Sequence, residues 1–65
     1  MTMMAIFKNY KTEEIRKLTK QNDGRVFYEG VNAQDERIFD VYLTESFEQA
    51  ITNVIRCGFT LEYIK

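Results

Sequence analysis

The sequence predicts a single small α+β domain, an antiparallel sheet of three to four strands with an amphipathic helix packed on one face. Two patterns carry that expectation. Residues 45–57 place Phe47, Ala50, Ile51, Val54 and Ile55 at i, i+3, i+4, i+7 and i+8, the apolar stripe of a helix. Residues 25–31 and 37–43 are rich in β-branched and aromatic side chains, as strands are. The composition agrees: 45% hydrophobic and 29% charged residues exclude a disordered or collagen-like chain. Sixty-five residues make one domain. Such a domain buries only ~60% of its unfolded surface, so a partner subunit is a natural supplement to its stability.

The helix has both its ends written in the sequence. Ser46 and Gln49 have the spacing of a capping box, with Thr44 as a second candidate cap. Glu45 and Glu48 lie at the start, where the helix dipole favours negative charge, and Arg56 lies at the end. Gly58 then supplies a left-handed stop. Asn32 to Glu36 is a polar turn joining the two central strands. Phe39, Val41 and Leu43 share one strand face, with Ile38, Asp40 and Tyr42 on the other. After the helix, Phe59, Leu61 and Tyr63 alternate with Thr60, Glu62 and Ile64 in a last short strand.

The N-terminal third reads less sharply. Thr12 as cap, Glu13 and Glu14 in a first turn, the Glu13–Lys17 pair and the later cations Arg16, Lys17 and Lys20 obey helix charge rules. A second helix over 12–21 is therefore expected. Asn22-Asp23-Gly24 is equally a hairpin turn, which would make 13–20 a strand against 25–31. Residues 3–10 are read as a first strand, with a short helix as the alternative. With the strand, the element order is βαββαβ, that of ferredoxin-like folds; βββαβ is the runner-up.

Chemistry is narrowed by what is missing. There is no His to serve as a base, and one Cys cannot make a disulfide within the chain. Cys57 sits at the negative end of its helix, which does not activate a thiol, and is expected to be a small buried or half-buried hydrophobe. The pairs Glu13–Glu14, Asp35–Glu36 and Glu45–Glu48 fall at helix starts and a turn, where solvated acids are ordinary. Three scattered glycines form no phosphate loop. No catalytic residue, cofactor or metal is expected, and the chain reads as a non-enzyme.

What remains is binding. Nine aromatic residues exceed what one small core readily takes. With Phe27, Phe39, Phe47 and Phe59 in the core, Tyr28, Ile38, Tyr42 and Ile64 share the opposite sheet face, an apolar, tyrosine-bearing surface suited to a protein partner. Folding of Met3 to Tyr10 over that face is the competing expectation. A homodimer, through this face or by edge-strand pairing, would also bury it. The net charge is −1, but residues 1–25 carry a local +3 and residues 26–65 a local −4. Arg16, Lys17, Lys20 and Arg25 are thus the candidates for contact with nucleic acid or an acidic partner, the less favoured alternative. A structural subunit of a homo-oligomer is the third.

Residues 20–65 are similar in arrangement to small phage-encoded inhibitors of bacterial enzymes, such as the T7-type RNA polymerase inhibitors. A strand hairpin over Arg25–Leu43 leads into a helix opened by Thr44-Glu45-Ser46, then into a strand after Gly58-Phe59. The resemblance rests on arrangement and implies a small regulator or inhibitor of a larger protein, of a phage or mobile-element type. It carries no functional residue across. The apolar run from Met3 to Phe7 is too short for a signal-peptide core or a membrane span, so cytoplasmic residence and no membrane partner are expected.

Overall fold

A computed structural model describes residues 2–65. The chain forms β1 (Met3–Lys8), β2 (Ile15–Lys20), β3 (Val26–Val31), β4 (Arg37–Leu43), α1 (Phe47–Arg56) and β5 (Thr60–Ile64). The five strands make one antiparallel sheet in the order β4-β3-β2-β1-β5. The first four strands form a meander. The helix then crosses one face to bring β5 beside β1 at the far edge. Ten helical residues span about 15 Å, and five strands span about 19 Å, so α1 and its short flanks suffice for the crossing. No helix of the described residues is long and apolar enough to cross a membrane.

The expected helix over 12–21 is a strand instead, and the sheet has five strands rather than three or four. Residues 9–14 form a turn: Asn9 Oδ1 accepts from the Lys11 and Thr12 amides at 2.9 and 3.2 Å, and Glu13 takes a left-handed φ of 63°. Asn22-Asp23-Gly24 is the hairpin turn, closed by Gly24 N–H to Gln21 O at 2.9 Å, with Gly24 at φ 88°. The β3–β4 turn repeats this geometry, with Asp35 at φ 64° in the place of the glycine. Helix charge pairs are each worth only about 0.2–0.5 kcal/mol. A strand bonded on both sides, with Leu18 fully buried, outweighs them. The order ββββαβ thus stands where βαββαβ or βββαβ was expected.

The first strand and the principal helix lie where the sequence puts them, the helix starting two residues later than expected. Ser46 caps it, its Oγ accepting from the Gln49 amide at 3.1 Å. The return half of the capping box is not made; the Gln49 side chain turns along the helix, its Nε2 donating to Asn53 Oδ1 at 3.1 Å. Gly58 follows with φ 96°, as a helix stop requires. The core lies between α1 and the sheet: Ala5, Phe7, Leu18 and Val26 meet Phe47, Ala50, Val54 and Phe59. Tyr28, Leu43, Ile51 and Leu61 flank it, half-buried.

Candidate functional site: the uncovered sheet face

The register assigns every strand residue to a face. In the sequence of pairs Ala5–Leu18–Tyr28–Val41, all four point towards the helix, as the burial of Ala5 and Leu18 requires. The next row, Ile6–Lys17–Glu29–Asp40, with Tyr63 beside Ile6, therefore points away. So do the rows two residues along each strand in either direction. One holds Met4, Thr19, Phe27 and Tyr42, and the other Lys8, Ile15 and Val31, with Ile38 projecting at its end. No element of the described residues packs over this second face.

Two of the four proposed partner-binding residues are on it. Ile38 and Tyr42 are 46% and 50% exposed. Tyr28 and Ile64 are on the other face: Tyr28 packs against the core beneath the helix, and Ile64 pairs with Ala5. Phe27, expected in the core, takes the place foreseen for Tyr28 and tilts against Tyr42 with ring centroids 4.9 Å apart. The physical reason is register. Strand β3 is apolar on both faces, so its own alternation does not say which set turns inward. Tyr63, 48% exposed on the same face, was missed in the sequence because β5 carries a bulge that resets its alternation.

The segment expected to fold over this face does not do so. Met3–Lys8 is hydrogen-bonded within the sheet between β2 and β5, leaving the face open. Apolar surface is exposed along it in two places, Tyr42 with the half-buried Phe27, and Tyr63 beside the buried Ile6. Between them charge is arranged by strand. Glu29 and Asp40 lie on β3 and β4, bridged by Arg37 at 3.1 and 2.9 Å, while Lys17 and Lys8 lie on β2 and β1.

The four cationic candidates do not form one surface. Lys17 is on the open face, and Lys20 points to the helix side at the end of β2. Arg25 sits in the β2–β3 turn, paired with Asp23 at 2.9 Å and lying 4.5 Å over the Tyr42 ring. That pairing holds the Asp23 carboxyl below its ordinary range, chiefly through the Arg25 amide and then its guanidinium. Arg16 is half-buried on the helix side. Its guanidinium lies 5.0 Å from the Phe39 ring and 4.6 Å from the Phe59 ring. The position is made by Gly30, between Arg16 and Phe39 in the register, whose missing side chain lets the Phe39 ring lie across the strand.

No chemistry gathers on the helix side. Cys57, expected to be buried or half-buried, is exposed at the end of α1, where its backbone caps the helix. A pocket of about 150 Å³ beside it is lined by Tyr28, Leu43, Ala50 and Val54. Its polar rim is occupied, Asn53 Nδ2 donating to Glu45 at 2.8 Å. Among the described residues no three metal-ligating side chains converge. Comparison with protein-family models, curated proteins and solved structures finds no match to this chain.

Proposed function

We propose that this chain is a non-enzymatic protein-binding module, a small regulator or inhibitor that docks a larger protein on the open sheet face. The observation that supports it is a five-stranded sheet covered by α1 on one side and, among the described residues, bare on the other, with Ile38, Tyr42 and Tyr63 each about half exposed there. An apolar, tyrosine-bearing patch crossed by charge of both signs matches the make-up of protein interfaces. The partner it fits presents apolar side chains flanked by cations over Glu29 and Asp40 and by carboxylates over Lys8 and Lys17.

The test is the double variant Tyr42→Ala/Tyr63→Ala, with Ile55→Ala on the exposed side of the helix as control. Circular dichroism should show both variants folded. Capture of a specific partner from cells carrying the gene should fall at least about tenfold for the double variant, as removal of two interface aromatics does, and persist for the control. Equal capture by all three proteins sinks the reading.

A second reading has its own support. Arg25 over Tyr42 and Lys65 over Tyr63, at 4.5 and 5.5 Å, are the aromatic–cation pairs that bind single-stranded nucleic acid. Glu29 and Asp40 on the same face oppose it. A salt-dependent shift with single-stranded DNA or RNA would favour this reading over the first.

A further inference from the structure

We infer that the outer edge of β4 is a self-pairing edge, and that its occupant is β4 of a second copy, antiparallel about a two-fold axis at Val41. The inference concerns an edge and not the open face, and does not depend on that face binding another protein. Both β4 and β5 end the sheet, but they differ. β5 has five residues and a break in register opposite Ile6/Phe7. Glu62, at that break, is held by the Tyr10 hydroxyl. β4 has seven residues, and its one irregularity is confined to the Arg37 end. From Phe39 to Leu43 it runs regularly against β3, so every second N–H and C=O along its outer side points away from the sheet. Among the described residues that span has no proline, no lysine and no covering segment, and its single charge, Asp40, is already bridged by Arg37 at 2.9 Å. Ile38, Val41 and Tyr42 are 46%, 45% and 50% exposed on β4.

Charge selects the register. A two-fold axis at Asp40 sets carboxylate directly against carboxylate, which is unfavourable. An axis at Phe39 sets Asp40 against the partner's Ile38 and draws the irregular Arg37–Ile38 end of each strand into the pairing. An axis at Val41 places Val41 on the partner's Val41, and Phe39 on the partner's Leu43. It also sets Asp40 opposite the partner's Tyr42, the ring over which Arg25 lies at 4.5 Å. Each carboxylate then meets a guanidinium from the other copy, twice by symmetry. The result is a continuous ten-stranded sheet with both helices on one side and both open faces on the other.

The test is sedimentation equilibrium of the full chain up to millimolar concentration, with Val41→Lys and Tyr63→Ala alongside. The wild type should be dimeric, Val41→Lys should raise the dimer Kd at least about tenfold with unchanged circular dichroism, and Tyr63→Ala should leave Kd unaltered. Mild oxidation in a Cys57→Ser background reads the register without relying on that lysine. Val41→Cys should form a disulfide-linked dimer and Phe39→Cys should not. A monomer at every concentration, a dimer indifferent to Val41→Lys, open-ended oligomers, or faster cross-linking through Phe39→Cys would each overturn the inference. Loss of the dimer with Tyr63→Ala alone would overturn it in favour of face-to-face association.

Discussion

At the scale of single residues, Gly30 is the position on which most depends. A Cβ built there would lie 2.3 Å from Phe39 Cε2 and 2.7 Å from Cζ, so the ring cannot stay where it is. Moving it would break its edge contact with Tyr28, at 5.2 Å between centroids, and remove one of the two rings flanking Arg16. Gly30→Ala should therefore cost about 1–3 kcal/mol in urea melts, the usual range for overpacking, despite the better strand propensity of alanine. A neutral result would show that Phe39 has another place to go. Tyr28 offers a pH-dependent counterpart. Burial raises its pKa above the ordinary phenol value, with Arg16 opposing that rise. The folded state thus holds the phenol proton more tightly than the unfolded state does. The associated stability is complete below about pH 10 and is lost as pH climbs through the raised folded value. Tyr28→Phe should flatten the alkaline limb of a stability–pH curve, leaving the part due to Tyr10, whose pKa is raised by its hydrogen bond to Glu62. An unchanged limb would remove Tyr28 from that account.

At the scale of elements, the N-terminal strands bind the rest together. β1 lies between β2 and β5, and β2 lies between β1 and β3. The C-terminal unit of hairpin, helix and last strand is split in the sheet: without β1, β5 has no neighbour. Ala5, Phe7 and Leu18 are fully buried and supply the floor on which α1 rests. A chain of residues 25–65 should consequently show no cooperative thermal unfolding by circular dichroism. A two-state transition from that fragment would mean the hairpin and helix close a core alone. Elements differ in how far they can be read because their signals differ in kind. The helix declared itself through a five-residue stripe with a cap at one end and glycine at the other. β2 has only Ile15 and Leu18 as large apolar residues, and its Arg16, Lys17 and Lys20 mimic helix charge order; its identity comes from pairing with strands on both sides, β1 and β3.

At the scale of the whole molecule, the proposed function rests on what the fold leaves uncovered. One helix cannot coat both sides of a five-stranded sheet, so a small chain of this topology carries a bare face and two edges. The candidate site was partly legible. Ile38 and Tyr42 were identifiable because β4 alternates cleanly, Phe39, Val41 and Leu43 against Ile38, Asp40 and Tyr42. Phe27 and Tyr63 were not, since β3 is apolar on both faces and β5 is bulged. The charge asymmetry along the chain also changes meaning on folding. Arg16 goes between two rings, Lys20 to the helix side and Lys17 to the open face, so the basic N-terminal third is not a basic surface. The open face and the β4 edge predict separable behaviour: Tyr63→Ala should act on partner capture alone, and Val41→Lys on self-association.

The local chemistry of the sequence determined the principal helix, its cap at Ser46, its stop at Gly58, the β3–β4 hairpin and the α+β class. Each is announced by residues close together in the chain, a stripe, a cap, a stop or a turn, which a one-dimensional reading contains. Tertiary structure decided whether Ile15–Lys20 is helix or strand, which side of β3 turns inward, and that Met3–Lys8 joins the sheet instead of covering it. Those choices depend on pairing across the sheet. There, a one-residue slip exchanges its faces, and burial of Leu18 between two neighbouring strands outweighs every local preference.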